Sequence, residues 1–152
     1  MSPQIYNSIQ INRPIDQVFD FITTPANWPR WHPASVSVSG NADHSLLTGE
    51  EVTEKFSVAG YRGEAKWLVR ERIAPHRWVI DGAGKKGGGA TIAYSLTSYN
   101  EGTTFERELV YTTPNALFAL FDWLILRRCM RTDSAEALQR SKRLLESGVV
   151  PD

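Results

Sequence analysis

From residue 51 to residue 112, polar and apolar side chains alternate with a period of two, in runs separated only by turn residues. Such a stretch builds an antiparallel sheet with one covered face and one wet face. EEVTEKFSVAG sets Val52, Glu54, Phe56 and Val58 against Glu51, Thr53, Lys55 and Ser57, with Gly60 turning the chain. YRGEAKWLVRERI puts Tyr61, Ala65, Trp67, Val69, Glu71 and Ile73 on one face, with Arg62, Glu64, Lys66, Arg70 and Arg72 on the other. HRWVIDGAG and ATIAYSLTSY follow, with Trp78 and Ile80, then Ile92, Tyr94 and Leu96 as inward residues. GKKGGG between them supplies a turn. After NEG, itself a hairpin signal, TTFERELVYTT aligns Phe105, Arg107, Leu109 and Tyr111.

A sheet with one apolar face needs a cover. Residues 4 to 11 alternate, with Asn7 beside Ile5, Ile9 and Ile11, and read as a first strand. In RPIDQVFDFI the apolar residues Ile15, Val18, Phe19 and Ile22 follow helical spacing, and Pro14 suits the first turn. TTPANWPRWHPAS carries three prolines, so it is a loop or a broken helical turn. Pro114 and Asn115 open a long helix to about Ser147, stopped by Gly148 and followed by Pro151. That helix is the only element long enough to cover the sheet. Its first part, ALFALFDWLILRR, is apolar on nearly every side. Leu117, Phe118, Leu120, Phe121, Leu124 and Ile125 supply that surface, Asp122 interrupts it, and Ala135, Leu138 and Leu145 continue the buried stripe.

The 152 residues suit one domain, 1–152. Seventeen basic residues balance seventeen acidic ones, which leaves no global field to favour nucleic acid. Cys129 is the only cysteine, so an internal disulfide is excluded, and a reducing, cytoplasmic setting is expected. The opening residues lack a basic stretch followed by an apolar one, so no signal peptide is expected. No run reaches the ~18 apolar residues of a spanning helix.

The sequence IQINRPIDQVFDFITTPANWPRWHP, the antiparallel middle and the long last helix together resemble the polyketide cyclase/dehydrase-like branch of the START-like (SRPBCC) superfamily. The resemblance implies an α+β helix-grip fold. In it a curved antiparallel β-sheet wraps a long C-terminal α-helix, two short helices follow the first strand, and a deep apolar cavity remains. The resemblance implies that the apolar first part of the last helix lies across this cavity and touches the loops that close it. Members include lipid and hormone binders, cyclases and stress-response proteins, so the fold leaves function open.

Three charges on apolar strand faces are the sharpest candidates: Glu54, Glu71 and Arg107. A charge taken from water without a partner is costly, so such residues are paired, neutralised, or turned to solvent by a strand end or bulge. In the functional reading they are the polar groups of an apolar pocket. Arg107 then faces an anionic or carbonyl oxygen, and a glutamate raised by burial, Glu71 or Glu54, acts as acid/base. Asn7, Tyr94 and Tyr111 add hydrogen bonds, and Phe19, Trp31, Phe56, Trp67, Trp78, Phe118 and Phe121 line the ligand space.

Trp28 and Trp31 read as a plug at one end of the sheet with His32 at the surface, or as a gate at the cavity mouth. His44 and His76 sit in turn-like contexts, so no metal is expected, and no cofactor. The lead expectation is binding of a small hydrophobic or amphipathic ligand, lipid-like or polyketide/aromatic. The alternatives are a cofactor-independent cyclase or dehydratase, and an adaptor or membrane-peripheral protein using the apolar 116–126 helix face, with a homodimer among the arrangements considered.

Overall fold

The computed structural model describes residues 4–148, so Pro151 lies outside them. β1 (Gln4–Ile11) leads into α1 (Ile15–Ile22), a 3-10 turn (Pro25–Asn27) and α2 (Trp28–Trp31). Six further strands follow: β2 (Ser35–Ser39), β3 (Glu51–Val58), β4 (Tyr61–Ile73), β5 (Arg77–Gly84), β6 (Gly89–Tyr99) and β7 (Gly102–Thr112). α3 (Ala116–Phe121), a π-helical turn (Asp122–Leu126) and α4 (Arg127–Glu146) come next. Asn115 caps this last helix by accepting a hydrogen bond from the Phe118 N–H at 2.8 Å.

All seven strands pair antiparallel in the order β1-β7-β6-β5-β4-β3-β2. Consecutive strands therefore lie side by side, except that β1 joins the far edge beside β7. The curled sheet grips the C-terminal helix, which is the α+β helix-grip architecture. α4 faces the sheet with Ser134, Ala137, Leu138, Ser141 and Leu145, and three of these five are small, which lets the helix come close. Ala135, expected on this stripe, is exposed. The π turn adds a residue to one helical turn, and each residue rotates the face by about 100°.

Two expectations about facing are corrected. β4 is bulged between Val69 and Glu71, which reverses every side chain beyond it. Glu71 consequently leaves the inner face and pairs with Arg77 at 3.1 Å near the surface, while Ile73 becomes exposed. Arg72 takes the inward direction, with its guanidinium 5.3 Å from the centre of the Phe19 ring and Nη2 donating to Ser45 at 3.2 Å. Along α3 and the π turn, Phe118, Asp122 and Leu126 turn inward at a spacing of four residues. Leu117, Leu120, Leu124 and Ile125, expected to pack over the cavity, are exposed instead, because a helix at the rim of the sheet has only one side to bury.

The half of the grip nearest α1 and α2 is filled. Trp78 stacks on Tyr94 at 5.3 Å, Tyr94 meets the edge of Phe105 at 5.2 Å, and Trp31 and Trp28 close around them. The indole N–H of Trp78 donates to the Leu46 carbonyl and that of Trp28 to the Ile22 carbonyl, so both rings are anchored at their polar ends.

Candidate ligand-binding site

The other half of the grip, bounded by β3, β4, β5, β7 and the last helix, encloses a cavity of about 630 Å3. Two glycines explain why side chains do not fill it. Gly63 lies opposite Phe56 in the β3–β4 register and Gly82 lies opposite Trp67 in the β4–β5 register. A Cβ at either glycine would stand 2.5 Å from the facing ring. Each aromatic side chain therefore lies flat over the bare backbone of its neighbour strand, forming a wall and leaving the space beyond it open.

Polar groups converge on this apolar space from three elements. Arg107 on β7 is buried, 5% exposed, and Nη1 donates to the Ser134 hydroxyl of α4 at 3.2 Å. Its Nε has no hydrogen-bond partner, and among the described residues no carboxylate comes within ion-pair distance of it. Glu54 on β3 accepts the Trp67 indole N–H at 3.0 Å. Burial pushes its carboxyl above the usual range, opposed by the Ser35 hydroxyl, the Trp67 N–H and the charge of Arg107.

His32, expected at the surface, also lines the cavity. Pro33 follows it and holds its backbone extended, at φ −104° and ψ 117°, which turns the chain back under the sheet. Its Nδ1 accepts the Ala34 N–H at 3.1 Å, so in the neutral ring Nε2 carries the hydrogen. Burial, with Arg107 and Arg140 nearby, holds its pKa well below the ordinary histidine value. The cavity therefore presents a cation, a neutral imidazole donor and a carboxyl that resists ionisation.

At the other end, the Tyr111 hydroxyl donates to Asp122 Oδ1 at 2.5 Å and Arg127 Nη2 donates to Oδ2 at 3.0 Å. Asp122 is 1% exposed, so this carboxylate ties the π turn to β7. Burial, then the neighbouring Asp122, pushes the Tyr111 hydroxyl up to about 12. Phe118 closes the wall by meeting the edge of Tyr61 at 4.8 Å.

The structure divides the residues singled out from sequence. Glu54, Phe56, Trp67, Arg107, Tyr111 and Phe118 line the cavity together. Phe19, Trp31, Trp78 and Tyr94 are buried in the filled half; Tyr94 lies opposite Arg107 in the β6–β7 register, and burial pushes its hydroxyl up to about 12. Asn7 is half-buried on β1 and pairs with Arg107 through the backbone, outside the lining. Phe121 packs on Phe118 at 5.6 Å outside the wall, and Glu71 is at the surface. Gly63, Gly82 and Met130 belong to the lining and were not anticipated, and His32 joins it, as the cavity-mouth alternative for the Trp28, Trp31 and His32 cluster would have it. A histidine wedged between a core tryptophan and a proline was the available signal. Among the described residues no group of three His, Cys, Asp or Glu is placed to hold a metal ion.

The fold is shared with proteins of known structure. The fold superposes on the protein TTHA0849 from Thermus thermophilus with a TM-score of 0.77 at 11% identity, covering 97% of this chain and 100% of that one. It superposes on DynU16, a protein of the dynemicin biosynthetic locus, with a TM-score of 0.68 at 16% identity, covering 95% of this chain and 48% of that one. Penitrem biosynthesis cluster 1 protein I from Penicillium ochrochloron is 34% identical over 67 residues, 43% of this chain and 44% of that protein. The sequence profile of the family described as "Polyketide cyclase / dehydrase and lipid transport" matches residues 2–146, nearly the whole length over which the grip and its cavity are built. The chain therefore belongs to the polyketide cyclase/dehydrase and lipid transport family.

Proposed function

We propose that the protein binds a small, largely apolar molecule bearing a carboxylate, enol or carbonyl oxygen, with that oxygen turned toward Arg107. The observation that carries this reading is a buried arginine without a carboxylate partner at the wall of a 630 Å3 apolar cavity. A buried unpaired charge is expensive, and a ligand oxygen supplies the missing partner. The His32 Nε2–H adds a second donor, and the flat Phe56 and Trp67 rings offer apolar faces.

The test uses native mass spectrometry of the purified protein, then titration with 2-naphthoate and with naphthalene. A co-purifying oxygen-bearing apolar molecule, or 2-naphthoate binding at least tenfold tighter than naphthalene, is expected. Equal binding of the two probes by wild type and Arg107→Met would exclude the role given to Arg107.

A cofactor-independent cyclase or dehydratase is the second reading, favoured by the raised carboxyl of Glu54, which lines the same cavity as Arg107. In it the Glu54 carboxylate accepts a proton from the carbon next to a ligand carbonyl, and Arg107 stabilises the enolate oxygen that forms. The names of DynU16 and the penitrem cluster protein, both tied to biosynthesis, support testing it. Glu54→Gln should abolish turnover of an enolisable polyketone and Glu71→Gln should leave it unchanged; activity retained in Glu54→Gln would sink this reading.

A further inference from the structure

We propose that the outer face of α3 and the π turn docks onto an anionic lipid surface. Leu117 is 79% exposed, Trp123 70%, Leu120 and Leu124 each 53% and Ile125 49%. A single exposed leucine carries no meaning, but five large apolar side chains on one short helical stretch form a contiguous patch. The stretch is not loosely attached: its inner side is held by Phe118 against Tyr61, by Leu126 in a small core and by the Asp122 pair of hydrogen bonds.

Charge identifies the occupant. Between residues 113 and 132 the sequence holds one carboxylate, Asp122, and it is buried and engaged by Tyr111 and Arg127. Arg128 and Arg131 continue the exposed face on the next turns of the helix. Apolar side chains flanked by arginines, with no exposed carboxylate among them, match a bilayer whose acyl region takes the leucines and tryptophan and whose phosphates take the guanidinium groups. A second copy of the chain suits the face less well. A two-fold dimer would bring the same patch from the mate, which offers no exposed carboxylate to pair with Arg128 and Arg131. The contact is interfacial, because no helix among the described residues is long and apolar enough to cross a membrane. Phe118, one residue from Leu117, lines the cavity, so the docked face adjoins the cavity wall.

The whole chain should co-sediment with phosphatidylcholine vesicles containing phosphatidylglycerol, with binding reduced by added salt and by the absence of phosphatidylglycerol. Trp28, Trp31, Trp67 and Trp78 are all buried, so quenching by brominated lipid reads Trp123. Leu120→Glu combined with Ile125→Glu should abolish sedimentation and quenching, and Arg128→Gln or Arg131→Gln should each weaken binding about fivefold. None of these residues lines the cavity, so 2-naphthoate binding should persist in every variant, which keeps this test separate from that of the cavity. Absence of sedimentation at low salt, or sedimentation without quenching of Trp123, would overturn the proposal. A dimer in size-exclusion chromatography that Leu120→Glu dissolves, with no vesicle binding, would assign the face to a second copy and overturn it equally.

Discussion

His32 owes its charge state to its surroundings, and that makes stability depend on pH. Its folded pKa lies below the ordinary 6.5, so in the window just below 6.5 the unfolded chain binds a proton that the folded chain does not. Stability conferred by the neutral ring is complete above 6.5 and is lost as pH falls through the folded value. His32→Asn keeps an acceptor for the Ala34 N–H and removes the titration. Its urea midpoint should drop less between pH 7 and pH 5 than that of the wild type. Glu54 works in the opposite direction, since its raised pKa favours the folded state at low pH, so Glu54→Gln should steepen the acid loss. At this scale the sequence was partly legible. Glu54 and Arg107 announced themselves as charges between apolar neighbours, and both face the cavity. Glu71 carried the same signal and points to solvent, because facing depends on every residue between it and the strand end.

Elements were legible where their period was strong, and less so where one residue was added. β4 was readable as one strand, yet nothing in YRGEAKWLVRERI marks the bulge after Val69, which is set by pairing with β5. The π turn is equally silent in ALFALFDWLILRR, apart from Asp122, whose burial makes sense only once Tyr111 is opposite. Tyr111→Phe removes that bond while keeping the ring. A hydrogen bond to a buried charged group contributes about 1.5–3 kcal/mol, and urea denaturation should register a loss of that order. Gly82→Ala tests the wall: a Cβ 2.5 Å from the Trp67 ring forces the indole toward the cavity. Binding of 2-naphthoate should weaken at least tenfold, with a stability cost of about 1–3 kcal/mol from overpacking.

Over the whole molecule, side chains fill one half of the grip and line a cavity in the other. Arg107 stands at the boundary, near the filled aromatic cluster through Tyr94 and open to the cavity. Replacing a buried charge that has no carboxylate within ion-pair distance with an apolar group of similar length relieves its desolvation cost. Arg107→Met should therefore unfold at the same or a higher temperature while losing 2-naphthoate binding, a dissociation of stability from function that a purely structural arginine would not show. The order of strands has a further consequence, in time rather than space. β2 to β7 can zip together one hairpin after another, but Gln4 finds its partner only at Val110 and Ile11 only at Thr103. A pairing between such distant segments carries a large loop-closure cost and slows folding. During synthesis β1 must wait, unpaired, until β7, about a hundred residues later, has left the ribosome.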